Sequence, residues 1–220
     1  MSPSVPEPPA AAVAAAIPAA PPSLATRANL VTLVRTCLAF VVVAMLYAGS
    51  ELYVGAFALT LVAIWMDAAD GWVARRFGEE SRLGAVIDIL FDRVVEMIYW
   101  IVFAALGWLP VWVPLVVVVR GLLVDGVRAL AFERGLTAFG STTMMKSPLG
   151  RLLVSSRFSR SLYGVSKALA FSLMILAYAA GLPAGVQEVL LAAALVAVYF
   201  SVFLCVARGI PVLAEAKRLV

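Results

Sequence analysis

Residues 67–92 read DAADGWVARRFGEESRLGAVIDILFD, and this stretch turns one apolar segment back on the next. Upstream, Leu52–Met66 is apolar and runs on towards Val73; downstream, Leu83–Leu106 is apolar again. The polar connection Arg75–Arg82 is short, which makes the flanking segments an antiparallel helical pair. Asp67 and Asp70 are three apart, and Asp88 and Asp92 four apart. Each pair therefore shares a helix face, and both pairs sit at the same end of the two helices, able to face each other. Four carboxylates partly withdrawn from water repel one another and cannot all stay ionised alone. Bound divalent cations resolve this, and oxygen donors without His or Cys select a hard ion, Mg²⁺ or Mn²⁺. Gly71, Ala74 and Gly84 remove bulk where a ligand or helix approaches the backbone. Arg75 and Arg76 place cations beside the acids, as suits a metal-bound phosphate. The alternative is a structural network in which the acids pair with Arg93, Arg120 and Arg128; ionisable residues inside spans nevertheless point to function.

Outward from this stretch the chain reads as membrane protein. Of its 220 residues 64% are hydrophobic and 14% charged, against about 45–50% and 25% in soluble domains. Its mean hydropathy is +1.02. Six apolar segments are expected: Asn29–Tyr47, Leu52–Met66, Leu83–Leu106, Val111–Ala131, Tyr163–Ala180 and Val189–Ala207. The connections near Ser50, Trp108 and Gly185 are short, and Glu133–Leu162 is read as one long basic loop. Lys and Arg gather on one side, from Arg27 through Arg75, Arg134 and Arg157 to Arg208 and Lys217, while the opposite connections have none. The positive-inside rule then puts both termini in the cytoplasm and requires an even number of spans, which six satisfies. The predicted fold is an all-α integral membrane protein of the inner (plasma) membrane, with six transmembrane helices over residues 27–220 and a cytoplasm-facing site. Residues 1–26 read as a disordered Pro/Ala-rich tail, since the first 22 residues hold seven prolines and no basic n-region of a signal peptide.

Composition also excludes chemistry. The chain has no His, which removes imidazole bases, Ser-His-Asp triads and His-containing zinc or haem sites. Cys37 and Cys205 are too few for a disulfide framework. The excess of 17 basic over 13 acidic residues fits orientation and anionic lipid rather than nucleic acid.

Written as a spacing, the central stretch is D-x2-D-G-x2-A-R-x8-G-x3-D-x3-D, on Asp67, Asp70, Gly71, Ala74, Arg75, Gly84, Asp88 and Asp92. It resembles the signature of the CDP-alcohol phosphotransferases at every specified position. Asn29, Thr32 and Arg35 also resemble the N-x-x-T-x-x-R text that often opens the family's first span. The resemblance implies transfer of a phosphatidyl or related group from a CDP-linked donor, CDP-diacylglycerol, to an alcohol, with release of CMP, by a homodimer in the bilayer. It implies that Asp67, Asp70 and Asp88 bind the metal ions and that Asp92 is the general base, also able to touch a second metal. Gly71, Ala74, Arg75 and Gly84 would line the donor site, with Ser81 where the family often has Thr or Ser. A carboxylate base is also what the residues themselves offer, there being no His.

For the acceptor, Arg120 and Arg128 resemble the fourth-span arginines of phosphatidylglycerophosphate synthases, with Asp125 where Ser is often found. Arg157, Arg160 and Lys167, in SRFSRSLYGVSK, resemble the acceptor-phosphate region of bacterial phosphatidylinositol-phosphate synthases, without their proline. Such cations suit a phosphorylated acceptor, glycerol 3-phosphate first and an inositol phosphate second; otherwise Arg157 and Arg160 anchor the loop to anionic headgroups. The competing class is an ion-coupled transporter, which would hold its acids near the bilayer midplane. A non-catalytic scaffold is the third reading, against which the four aspartates stand.

Overall fold

The computed structural model describes residues 27–77, 82–133, 143 and 145–217, and the side chains of 29–66, 86–132, 143 and 145–217. Six long helices stand among these residues: α1 Arg27–Ala48, α2 Tyr53–Phe77, α3 Arg82–Ala105, α4 Trp112–Glu133, α5 Arg157–Ala177 and α6 Ala184–Ala216. No strand forms among the described residues. The shortest of these six has 21 residues, which at 1.5 Å per residue is long enough for a hydrocarbon core of about 30 Å. Asn29–Ala48 and Ala184–Ala216 are long and apolar enough to cross a membrane, and Ser50–Met66 is a shorter apolar stretch. Elsewhere charges interrupt the apolar text, as Asp88, Asp92, Arg93 and Glu96 do on α3 and Arg120, Asp125 and Arg128 on α4.

The helices close a ring. α1 packs on α2, α2 on α5, α5 on α6, α6 on α4, α4 on α3, and α3 back on α1. One half of the ring is filled by aromatic side chains. Phe171 of α5 stacks on Tyr99 at 4.8 Å and meets Trp100 and Phe103 of α3 edge-on. Beyond it the three short connections meet: Trp108 stacks on Tyr178 at 4.3 Å, Tyr53 lies edge-on to Trp108, and Ala180 N–H donates to the Ser50 carbonyl. Gly107 and Gly181 reverse the chain there with φ of 74° and 81°, left-handed conformations that glycine adopts without strain. With that half sealed, the polar side chains line the other, towards the end where α2 leads into α3.

On α1 the inward stripe is Thr32, Arg35, Thr36, Ala39, Val42 and Leu46, all buried, while Leu30, Leu33, Phe40 and Val41 point outwards. Polar and small residues thus face neighbouring helices near the start of α1 while large apolar ones stay exposed, a pattern that fits packing in a membrane.

The stretch read as one loop contains more order than hydropathy implies. A helical turn at Pro148–Gly150 leads into a π-helical turn, Arg151–Ser155, and α5 starts at Arg157. Ser156 caps α5, its side chain accepting from the Ser159 N–H; the polar residues Arg157, Ser159 and Arg160 hide a helix start from hydropathy although they do not oppose helix formation. Likewise α6 begins before Val189 and continues beyond Ala207 through Pro211. Its end is fixed by Glu215, whose buried carboxylate accepts from the Lys146 N–H (2.7 Å), the Ser147 N–H (3.1 Å) and the Ser147 hydroxyl. Glu215→Ala leaves these donors without their acceptor, and hydrogen bonds to a charged group contribute about 1.5–3 kcal/mol each. The expected result is cleavage by trypsin after Lys146 accelerated by roughly ten-fold or more, read by fragment mass, with α1–α4 intact.

Candidate active site

Asp88, Asp92 and Glu96 follow one another at four-residue intervals on α3, so one face of this helix offers a carboxylate at each turn. Asp88 and Asp92 keep side-chain exposures of 43% and 46%, which leaves their outer oxygens open to a ligand. Arg35 of α1, almost wholly buried, holds both: its Nη2 donates to Asp92 Oδ1 and stands 3.6 Å from Asp88 Oδ1. Asp67 and Asp70 lie on α2 towards its C-terminal end, and Gly71, Ala74 and Arg75 follow them on the same helix, with Gly84 in the first turn of α3. Beyond their backbone these residues, and Ser81 altogether, lie outside the described residues.

One turn deeper, Glu96 is 5% exposed and fully engaged. It accepts from the Tyr163 hydroxyl at 2.7 Å, from Lys167 Nζ at 2.9 Å and from Arg93 Nη1 at 3.1 Å. A buried carboxylate with fewer partners would be costly. Arg93 also reaches Asp125 of α4 at 3.3 Å, and Asp125 lies 3.9 Å from Arg128. Carboxylates and cations thus alternate from α3 to α4 and to α5. Arg35, Asp92, Glu96 and Lys167 also line a cavity of about 160 Å³, together with Thr60, Tyr99 and Phe171.

A second group of cations stands behind Tyr163. Arg208 of α6 donates to the Ser159 hydroxyl at 2.6 Å and lies 5.7 Å from the centre of the Tyr163 ring. Arg120, Arg128 and Arg160 are near enough to repel it. Gly209 permits this: a Cβ there would come within 2.9 Å of Arg120 Cγ, so any side chain would displace Arg120 from the α4–α6 contact. Arginines are thus brought together from three helices, with Asp125 the acid beside them, a grouping whose charge and planar donors suit an anion.

Residues 25–203 match the CDP-alcohol phosphatidyltransferase family. The chain belongs to this family. Among curated relatives it is similar to a putative cardiolipin synthase of Mycobacterium tuberculosis, 38% identical over 81 residues (37% of this chain, 39% of that protein). It is similar to a probable phosphatidylglycerophosphate synthase of the same organism, 32% identical over 117 residues (51% and 56%). A phosphatidylinositol phosphate synthase of Mycobacteroides abscessus is 30% identical over 158 residues (68% and 70%). The matched stretch thus covers less than two thirds of the first two relatives.

For a CDP-alcohol phosphatidyltransferase the sequence expectations distribute unevenly over the structure. Asp88 and Asp92 stand together at the open end of the ring. Arg120, Arg128 and Arg160 come together, whereas Arg157 is exposed and makes no ion pair among the described residues. Lys167 is inside the ring but bound to Glu96. Sequence reasoning overlooks Glu96 and Tyr163 and counts Arg208 only among the orienting charges; the four-residue interval from Asp92 to Glu96 is the signal that exposes the first. Among the described residues no three Asp, Glu or Cys side chains gather as a metal site, two of the signature aspartates being given by backbone alone. The donors that are described, Asp88 and Asp92, are hard oxygens one turn apart and half-exposed, and they fit a hard divalent cation.

Proposed function

We propose that the chain transfers a phosphatidyl group from CDP-diacylglycerol to a small phosphorylated alcohol, glycerol 3-phosphate before others, and releases CMP in phospholipid biosynthesis. The observation that carries this reading is that Glu96, one turn from Asp92 on α3, is linked through Tyr163 to Arg208 and the arginines around it, which supports a carboxylate base and an anion-holding group belonging to one connected set of side chains. In the reaction the acceptor hydroxyl oxygen forms a bond to the phosphatidyl phosphorus, the bond from that phosphorus to the CMP oxygen breaks, and the hydroxyl proton passes to Asp92. An alcohol is a poor nucleophile until its proton is taken. Arg35 holds Asp92 towards the interior, and Gly71, Ala74, Arg75, Ser81 and Gly84 accommodate the donor.

Asp67, Asp70 and Asp88, with Asp92 at the edge, would hold Mg²⁺ or Mn²⁺. Such an ion, when bound, supplies neutralising charge to the diphosphate. Six spans, both termini in the cytoplasm, residence in the inner membrane and a homodimer belong to the same reading. It is supported by helix lengths of 21 residues or more and by the one-sided distribution of Lys and Arg. An inositol phosphate is the second acceptor, favoured by the relative that covers 68% of this chain.

Arginine substitutions test the acceptor assignment. Arg128→Ala, Arg160→Ala and Arg208→Ala each remove charge-assisted hydrogen bonds, worth about 1.5–3 kcal/mol apiece. The acceptor KM should rise roughly ten-fold or more while the donor KM holds. Arg→Lys should restore only part, since a point charge lacks the planar fork. Arg157→Ala, outside the cluster, should change acceptor KM by less than about three-fold, and Arg75→Ala should damage donor use instead. Unchanged acceptor KM in all three cluster variants would assign these cations to lipid anchoring.

A further inference from the structure

The cavity beneath Asp92 has a different character from the arginine cluster. Four charged side chains line it, and they cancel: Arg35 is engaged by Asp92 and Lys167 by Glu96. A phosphate dianion entering here would meet two carboxylates, and both cations are already satisfied. What the walls still offer is hydrogen bonding to neutral groups. Lys167 has three N–H groups and spends one on Glu96. Thr60 and Tyr99 also line it: the Thr60 hydroxyl donates to the Ala56 carbonyl at 2.8 Å and accepts from the Tyr99 hydroxyl at 3.0 Å, which leaves the Tyr99 oxygen as an acceptor. Between these polar points the wall is apolar, with Val95, Ala168 and Phe171, as suits the C–H faces of a polyol. Gly164 opens the α5 side: it is accessible, and a Cβ there would meet nothing within 4 Å. At about 160 Å³ the space holds roughly five waters at 30 Å³ each, the size of a small polyol and far less than an acyl chain.

The geometry points to this cavity as the subsite for the uncharged polyol portion of the acceptor, with Glu96 setting its neutrality and Gly164 its size. The acceptor phosphate stays outside it, at the arginines, and the hydroxyl that reacts lies at the mouth, beside Asp92. The inference rests on the reading that the chain uses a polyol acceptor. It assigns acceptor discrimination to the cavity walls rather than to the arginines, which would hold any phosphorylated acceptor alike.

Gly164→Cys in the full-length protein in membranes allows a test that needs no turnover. A small methanethiosulfonate reagent should label Cys at position 164, read by peptide mass separately from the exposed Cys37. Glycerol 3-phosphate or inositol phosphate should slow the labelling roughly five-fold or more, and inorganic phosphate or CDP-diacylglycerol alone should not. Protection by inorganic phosphate, protection by the donor alone, or no protection by either polyol phosphate would each overturn the assignment. A second variant, Gly164→Leu, narrows the cavity without a clash at Cβ. Its CMP release should show acceptor KM raised roughly ten-fold, more for inositol phosphate than for glycerol 3-phosphate, at constant donor KM. A raised donor KM with acceptor KM unmoved contradicts the assignment. Absence of CMP release from the unsubstituted protein sinks the transferase reading alone, because the labelling result stands independently of it.

Discussion

Asp92→Asn is expected to lower CMP release by roughly 10³-fold while donor binding persists, general bases contributing about 10²–10⁴-fold. Asparagine has almost the volume of aspartate and still accepts a hydrogen bond from Arg35, so the α1–α3 contact survives. It cannot take a proton. Asp92 is half-exposed at the cavity mouth and held by a guanidinium that is almost wholly buried, an arrangement that fixes the carboxylate while leaving an oxygen open. Titration calorimetry of the variant with CDP-diacylglycerol should give a dissociation constant within about three-fold of the unsubstituted protein. Loss of donor binding as severe as in Asp67→Asn would make Asp92 chiefly a metal ligand.

Asp88→Asn and Asp67→Asn are expected to abolish turnover, a loss of roughly 10³-fold or more, with folded protein still in the membrane. Each removes one negative charge from a set whose other members are hard oxygens, and an amide oxygen is a weaker ligand for Mg²⁺ or Mn²⁺ than a carboxylate. Asp88 stands 3.6 Å from Arg35, so its substitution leaves that arginine paired with Asp92 and the helix packing in place. Removing divalent ions with excess EDTA should have the same effect on the unsubstituted protein, reversed by Mg²⁺ or Mn²⁺ but not by Ca²⁺, which is larger and prefers more ligands. Full activity in EDTA refutes the metal assignment.

Much of this was legible in the residues, for physical reasons that also mark where reading fails. The aspartate spacing is local, set by 3.6 residues per turn, and Asp88 and Asp92 share their face as that period requires. Turns carry local signals too, and Gly107 and Gly181 stand where the chain reverses. On α1 the inward face is marked in the sequence only near its start, by Thr32, Arg35 and Thr36; beyond Ala39 the helix is apolar all round and has no contrasting stripe. Hydropathy also mistakes polarity for loop, which hid the start of α5 at Arg157. The partners of Glu96 come from α3 and α5, more than sixty residues apart, and no pattern along the chain joins them. Arg208 meets Arg120 only because the ring seats α6 against α4, a consequence of topology rather than of spacing.

The most direct test of the account is CMP release in membranes containing the protein, supplied with CDP-diacylglycerol and, in turn, glycerol 3-phosphate, inositol phosphate, inositol and serine. The account predicts CMP release that requires an acceptor, is greatest with glycerol 3-phosphate, and disappears in Asp88→Asn. CMP release with none of these acceptors, or release undiminished in Asp88→Asn, would contradict it.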